Sequence, residues 1–190
     1  APMAGRRRRR TPRVPTCKAC APLVPRSQDM TRAVALSYSP AQKRLHWAVV
    51  ALIALQWLVF DGMGRPFHDS MEAGAPAWSA VPVIHLALGL AVLGLALARL
   101  WLRRRHGAPA APAEEPELFR TASKWAHGAI YALLLAMPLT GLLAWFGRVG
   151  AAAGLHEILM NLLLALVFVH VAAVAVHQVV WKTDLMARMK

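Results

Sequence analysis

Charge and cysteine are both scarce in this chain, and each scarcity excludes something. Charged residues make up 16% of the sequence, against about 25% in an average soluble domain. Hydrophobic residues reach 57%, and mean hydropathy is +0.42. That balance excludes an ordinary water-soluble globule. Acidic side chains are rarest, nine against 22 Lys and Arg, giving a formal charge of +13. The excess is not laid out as a nucleic-acid-binding face. Arg6 to Arg10, Arg13, Lys18 and Arg26 supply eight of the positive charges, with Asp29 alone against them. Most of the imbalance is therefore a solvated tail, and no nucleic-acid partner is expected. The two cysteines, Cys17 and Cys20, form a lone CxxC in that tail, without the second pair a zinc site needs. Ala21 follows them where covalent haem attachment requires His. No apolar run follows the arginines before Met30, so the tail is not a secretory signal. Residues 1–38 read as a basic, Pro-rich, disordered extension, with Met30 the expected start of the functional unit. A serine or cysteine nucleophile arrangement, a phosphate-binding glycine loop and paired intramembrane carboxylates are also missing, which leaves no hydrolytic site.

What is present is apolar length. Four stretches stand out: about Leu45 to Met63, Val81 to Leu102, Ala126 to Phe146 and Leu155 to Trp181. Crossing a bilayer as a helix takes about 20 apolar residues, and backbone polar groups in hydrocarbon must be satisfied within the segment. The expectation is an all-α integral membrane protein, an up-down bundle of four helices over residues 39–190. Basic residues set its orientation. Arg32, Lys43 and Arg44 precede the first stretch, Arg103 to Arg105, Arg120 and Lys124 fill the second connection, and Lys182, Arg188 and Lys190 end the chain. The other two connections carry only Arg65 and Arg148, so both termini are expected in the cytoplasm of a bacterial inner membrane. Within the second connection, Ala108 to Ala113 reads as a semi-extended linker.

Histidine is the chemically informative residue. His156, His170 and His177 are separated by fourteen and then seven residues, intervals that return to nearly one face of a helix with about 3.6 residues per turn. Ionisable groups within a membrane are costly and usually face the bundle interior, and neutral imidazole is a standard axial ligand of haem iron. One histidine also opens each stretch: His46 and His127 on the inner side, His85 and His156 on the outer. His170 lies about 21 Å beyond His156 along a helix, so the last segment serves two depths. At the outer depth the intramembrane candidates are His85 and His156. At the inner depth His46, His170, His127 and His177 compete; His46 with His170 is the preferred pair, and His177 is the rival ligand or a donor to a propionate or quinone carbonyl. His68 and His106 read as surface residues.

Neighbouring residues add detail. Gly89, one turn deeper than His85 on the same face, suits either a flat ring lying against backbone or close packing of helices. Pro138 is expected to kink its helix. Arg99 and Lys124 read as snorkelling basic residues at the inner surface or as partners of haem propionates, while the seven tryptophans near the ends of the stretches read as headgroup-level anchors. Asn161 and Gln178 read first as bridges between helices.

With Arg44-Leu45-His46-Trp47, Ile84-His85 with Gly89, His127 to Tyr131 followed by Pro138 and Gly141, and His156-Glu157 running to His170, His177 and Trp181-Lys182, the chain resembles the bacterial di-haem cytochrome b561 family over about Ser39 to Lys190. The resemblance implies two non-covalent b haems, with His46 and His170 matching one ligand pair and His85 and His156 the other, and quinone as the redox partner. It also implies a transmembrane electron-transfer function. The family includes members proposed to oxidise superoxide at the outer face and pass the electron to ubiquinone. The same arrangement is similar to the cytochrome b subunits that anchor formate dehydrogenases and hydrogenases. A quinone-linked oxidoreductase and a haem-bearing anchor for a partner redox subunit both stay open.

Overall fold

The first helix starts on a reciprocal cap. Ser39 precedes Pro40, which is pre-set for the first helical position, and Gln42 follows two residues on. The Gln42 amide nitrogen donates to Ser39 Oγ at 3.3 Å, while the Ser39 amide donates to Gln42 Oε1 at 3.0 Å, so two donors at the helix start are satisfied. From there the computed structural model, which describes residues 37–59, 62–110, 115–183 and 185–190, runs through helices α1 (Pro40–Val59), α2 (Gly64–Ala73), α3 (Ala80–His106), α4 (Glu117–Gly147) and α5 (Gly150–Val179), then a single 3₁₀ turn, Leu185–Arg188. Residues 1–36 of the basic extension, with its CxxC and Met30, lie outside the described residues.

The described residues are all-helical, as expected, with one helix more than the four apolar stretches indicate. α2 escaped a hydropathy reading because it is short and polar, GRPFHDSMEA. It ends on Gly74 in the left-handed conformation, φ 64°, which Gly adopts without a Cβ penalty. Ser70, fully buried, closes its turn by donating to the Pro66 carbonyl (2.7 Å) and accepting the Ala77 amide (2.8 Å). α3, α4 and α5 are each long and apolar enough to cross a membrane. In α5 only 6% of the most apolar window is buried within the protein, so its hydrophobic surface needs lipid around it. α1, at 20 residues, is not one of those three; Gln42, Lys43 and Arg44 occupy its start and Gln56 interrupts its apolar run. α4 begins nine residues before the expected stretch, because its backbone ladder continues through the polar turns around Arg120 and Lys124. Pro138 sits buried inside that helix.

Packing follows the chain: α1 lies on α3, α3 on α4 and α4 on α5. Polar ties gather one end of the bundle. Gln42 Nε2 donates to the Gly107 carbonyl (3.1 Å), Trp47 Nε1 to that of Met189 (2.9 Å) and Arg188 to that of Ala110 (2.7 Å). The start of α1, the α3–α4 connection and the carboxyl-terminal segment thus share one side. Val49, Val92, Ala96, Leu134 and Leu163 form the buried core, with every long helix represented. Leu163 lies seven residues from both His156 and His170, about 10 Å from each along the helix axis. The apolar core is therefore a layer between two histidine levels.

Candidate functional site

At the level opposite the polar ties, α3 and α5 bring His85 and His156 together with ring centres 6.1 Å apart. Both imidazoles would be near enough to hold one group between α3 and α5. Beside them opens a cavity of about 590 Å³, lined by Gln56 of α1, His85 and Gly89 of α3, Gly141 and Trp145 of α4 and His156 of α5, with Met63 and Phe67 at its α2 end. Cofactor pockets run about 300–1,000 Å³.

The wall is shaped around His156. Its Nδ1–H donates to the Met137 carbonyl at 2.8 Å, which leaves Nε2 as a lone-pair nitrogen turned to ligation, the usual tautomer of a metal-binding histidine. The ring occupies the space where Gly141 has no side chain: a Cβ there would meet Nδ1 at 2.9 Å and Cε1 at 3.0 Å. Gly89 is looser, its nearest neighbour being Gln56 Nε2 at 3.7 Å. His85 is less complete. Its Nδ1 is buried with no hydrogen-bond partner, as are Gln56 Oε1 and Trp145 Nε1. All three belong to residues that line the cavity. Trp145 also departs from the expected headgroup anchor: it is 1% exposed and packs edge-on to Trp78 at 5.5 Å.

The second level collects one residue from each long helix: His46, Arg99, His127 and His170 stand within Coulomb range of one another. His170 meets His127 edge-on, ring centres 5.2 Å apart, and His127 Nδ1–H donates to the Ser123 carbonyl at 2.6 Å. Arg99 Nη1 donates to His46 Nδ1 and lies 5.9 Å over the Tyr131 ring. Guanidinium is acceptor-free, so His46 presents its Nδ1 lone pair to it. The donor set suits a haem: imidazoles for iron and a guanidinium for a propionate. His177 is elsewhere. Buried at the polar end, it has Thr183 Oγ1 on Nδ1 (3.0 Å), Glu115 on Nε2 (3.5 Å) and Trp181 packed edge-on at 4.5 Å. Neither of its nitrogens faces the His46–His127–His170 cluster unpaired. His68 and His106 are exposed, as expected of surface residues.

Sequence patterns located every histidine in these two levels but did not single out the atoms that orient them. Met137 contributes a backbone carbonyl, which no residue type advertises. Gln56 left a faint signal, a lone amide ten residues after His46 in an apolar run.

The family model for prokaryotic cytochrome b561 matches residues 37–190, and the chain belongs to that family. It is 31% identical over 155 residues to cytochrome b562 of Cereibacter sphaeroides, covering 80% of this chain and 94% of that protein. It is also similar, at 23% identity over 176 aligned positions with the same coverage of both chains, to the probable superoxide oxidase CybB of Yersinia pestis. The fold and the family define a bacterial membrane protein of electron transfer that binds haem b.

Proposed function

We propose that this chain carries electrons between two b haems and exchanges them with quinone, as a four-helix bundle of α1, α3, α4 and α5 spanning the membrane. His85 and His156 hold one haem; His46 and His170 hold the other, after Arg99 releases His46 Nδ1 and takes up a propionate. The observation that carries this reading is the 6.1 Å approach of His85 and His156 beside a cavity lined by all four long helices. Each haem, when bound, supplies a one-electron iron couple.

The chain's own residues do the rest. Met137 and Gly141 fix the His156 tautomer and ring position. The core layer around Leu163 keeps the two levels apart and dry, which leaves charges inside poorly screened. Arg99 sets positive charge beside the inner level. The Arg103 to Lys124 connection and both termini face the cytoplasm, by the basic-residue asymmetry.

The likeness to a probable superoxide oxidase supports superoxide as the outer electron donor. Two superoxide anions each release one electron and become dioxygen, and those two electrons with two protons convert quinone to quinol. Service as an anchor for a partner dehydrogenase is the competing reading; co-purification of a larger redox subunit would favour it. Pyridine haemochrome quantification tests the central claim. Two b haems per chain are expected, with His85→Ala and His156→Ala each removing the same one. Loss of different haems by these two variants would overturn the pairing.

A further inference from the structure

Among the described residues, four buried side-chain nitrogen or oxygen atoms have no hydrogen-bond partner: Gln56 Oε1, His85 Nδ1, Arg120 Nε and Trp145 Nε1. Gln56 Oε1 is the one acceptor-only atom in the set. Arg120 belongs to the opposite end of α4, near Glu115. Three of the four sit on residues walling the outer cavity, and among these buried side-chain atoms of the described residues the amide oxygen is the one unmatched acceptor for the two cavity donors.

Position favours His85 over Trp145. Gln56 Nε2 already donates to the main-chain carbonyl of His85 at 3.2 Å, so the amide group is moored to the very residue whose ring lacks a partner. Trp145 is on α4 and packs against Trp78. The chemistry agrees. When His85 ligates iron through Nε2, Nδ1 must carry the proton and needs an acceptor. His156 takes its acceptor from backbone, at Met137. His85 has no such carbonyl on its Nδ1.

From this we infer that Gln56 is the positioning residue for His85: its amide oxygen accepts the Nδ1–H of the ligating ring, while its amide nitrogen stays on the His85 carbonyl. One side chain of α1 then fixes the tautomer, the ring rotation and the basicity of an axial ligand on α3. The inference rests on the proposed haem at His85 and His156. It also makes the outer haem asymmetric, with a neutral backbone acceptor behind one imidazole and a replaceable side chain behind the other. The potential of that haem is thus adjustable from a residue that never touches iron.

Electron density on the imidazole should follow the acceptor. Gln56→Glu places a stronger acceptor behind Nδ1–H, gives the ligand more imidazolate character and stabilises the ferric state. Gln56→Leu removes the acceptor and does the reverse. Outer-shell partners of metal-bound histidine typically matter on the order of tenfold or more, and a tenfold change in a one-electron equilibrium is 59 mV.

The test is a redox titration of the purified full chain, wild type and both variants, with low-spin ferric EPR spectra of each. We expect one of two haems to shift down in Gln56→Glu and up in Gln56→Leu, by about 59 mV each way, with its EPR g-anisotropy altered and the second haem unmoved. A packing role alone would not give shifts of opposite sign. Equal potentials in all three proteins, shifts of the same sign, or movement of the haem lost in His170→Ala would each overturn the inference while leaving the haem reading intact. Gln56→Glu is close to isosteric and keeps the test decisive if the leucine variant loses its haem. A wild-type protein without haem would instead sink the underlying reading, and this inference with it.

Discussion

Replacing Gly141 with alanine sets two effects of opposite sign against each other. An alanine in place of glycine within a helix stabilises it by about 1 kcal/mol. At this position the new Cβ would lie 2.9 Å from His156 Nδ1 and 3.0 Å from Cε1, where ordinary contacts begin at 3.4 Å. The ring must give way by roughly 0.5 Å, more than the ±0.2 Å that metal–ligand distances tolerate, and its 2.8 Å bond to the Met137 carbonyl is disturbed with it. Disturbing such an outer-shell bond costs about 10- to 100-fold in affinity, or about 1.4–2.7 kcal/mol. The second effect wins at the haem, and the first wins for the helix. Haem loss to an excess of scavenging apoprotein, followed by absorbance, should show one of two haems leaving about 10- to 100-fold faster, with thermal stability of the apoprotein unchanged or raised. Gly94→Ala, whose Cβ meets nothing within 4 Å, is the control and should leave both haems in place. If the two variants retain haem equally, Gly141 is not what positions His156.

Two further variants test the same frame. Ser70→Ala strands the Ala77 amide, a loss of about 1–3 kcal/mol; hydrogen exchange over residues 64–78 should accelerate about 5- to 150-fold, and unchanged protection would show that α2 is held by something else. His177→Leu should keep both haems while exposing the carboxyl-terminal segment to proteolysis, because Glu115 and Thr183 engage that imidazole; His170→Ala should lose one haem. Loss of haem in the first of these and retention in the second would exchange their roles.

Helix type and membrane affinity were legible in the amino-acid order because they depend on local quantities, apolar length and backbone satisfaction within a segment. Boundaries were less so. Hydropathy registers where a helix is greasy, whereas α4 continues through Arg120 and Lys124 on hydrogen bonds alone. α2 was hidden for the same reason, being polar and held by one buried serine. Trp145 looked like the other tryptophans at helix ends, and burial against Trp78 could not be read from its position.

The amino-acid order by itself determined that this is an all-helical membrane chain whose last helix presents imidazoles at two depths, since a fourteen-residue interval repeats on any regular α-helix. Tertiary structure alone decided which groups those imidazoles meet: His156 with His85, Met137 and the bare face of Gly141; His170 with His127; His46 with Arg99; and His177 with Glu115 and Thr183. Periodicity governs the direction of a side chain from its own helix. The partner it reaches depends on how neighbouring helices are rotated and offset, and that is set by packing across the whole bundle.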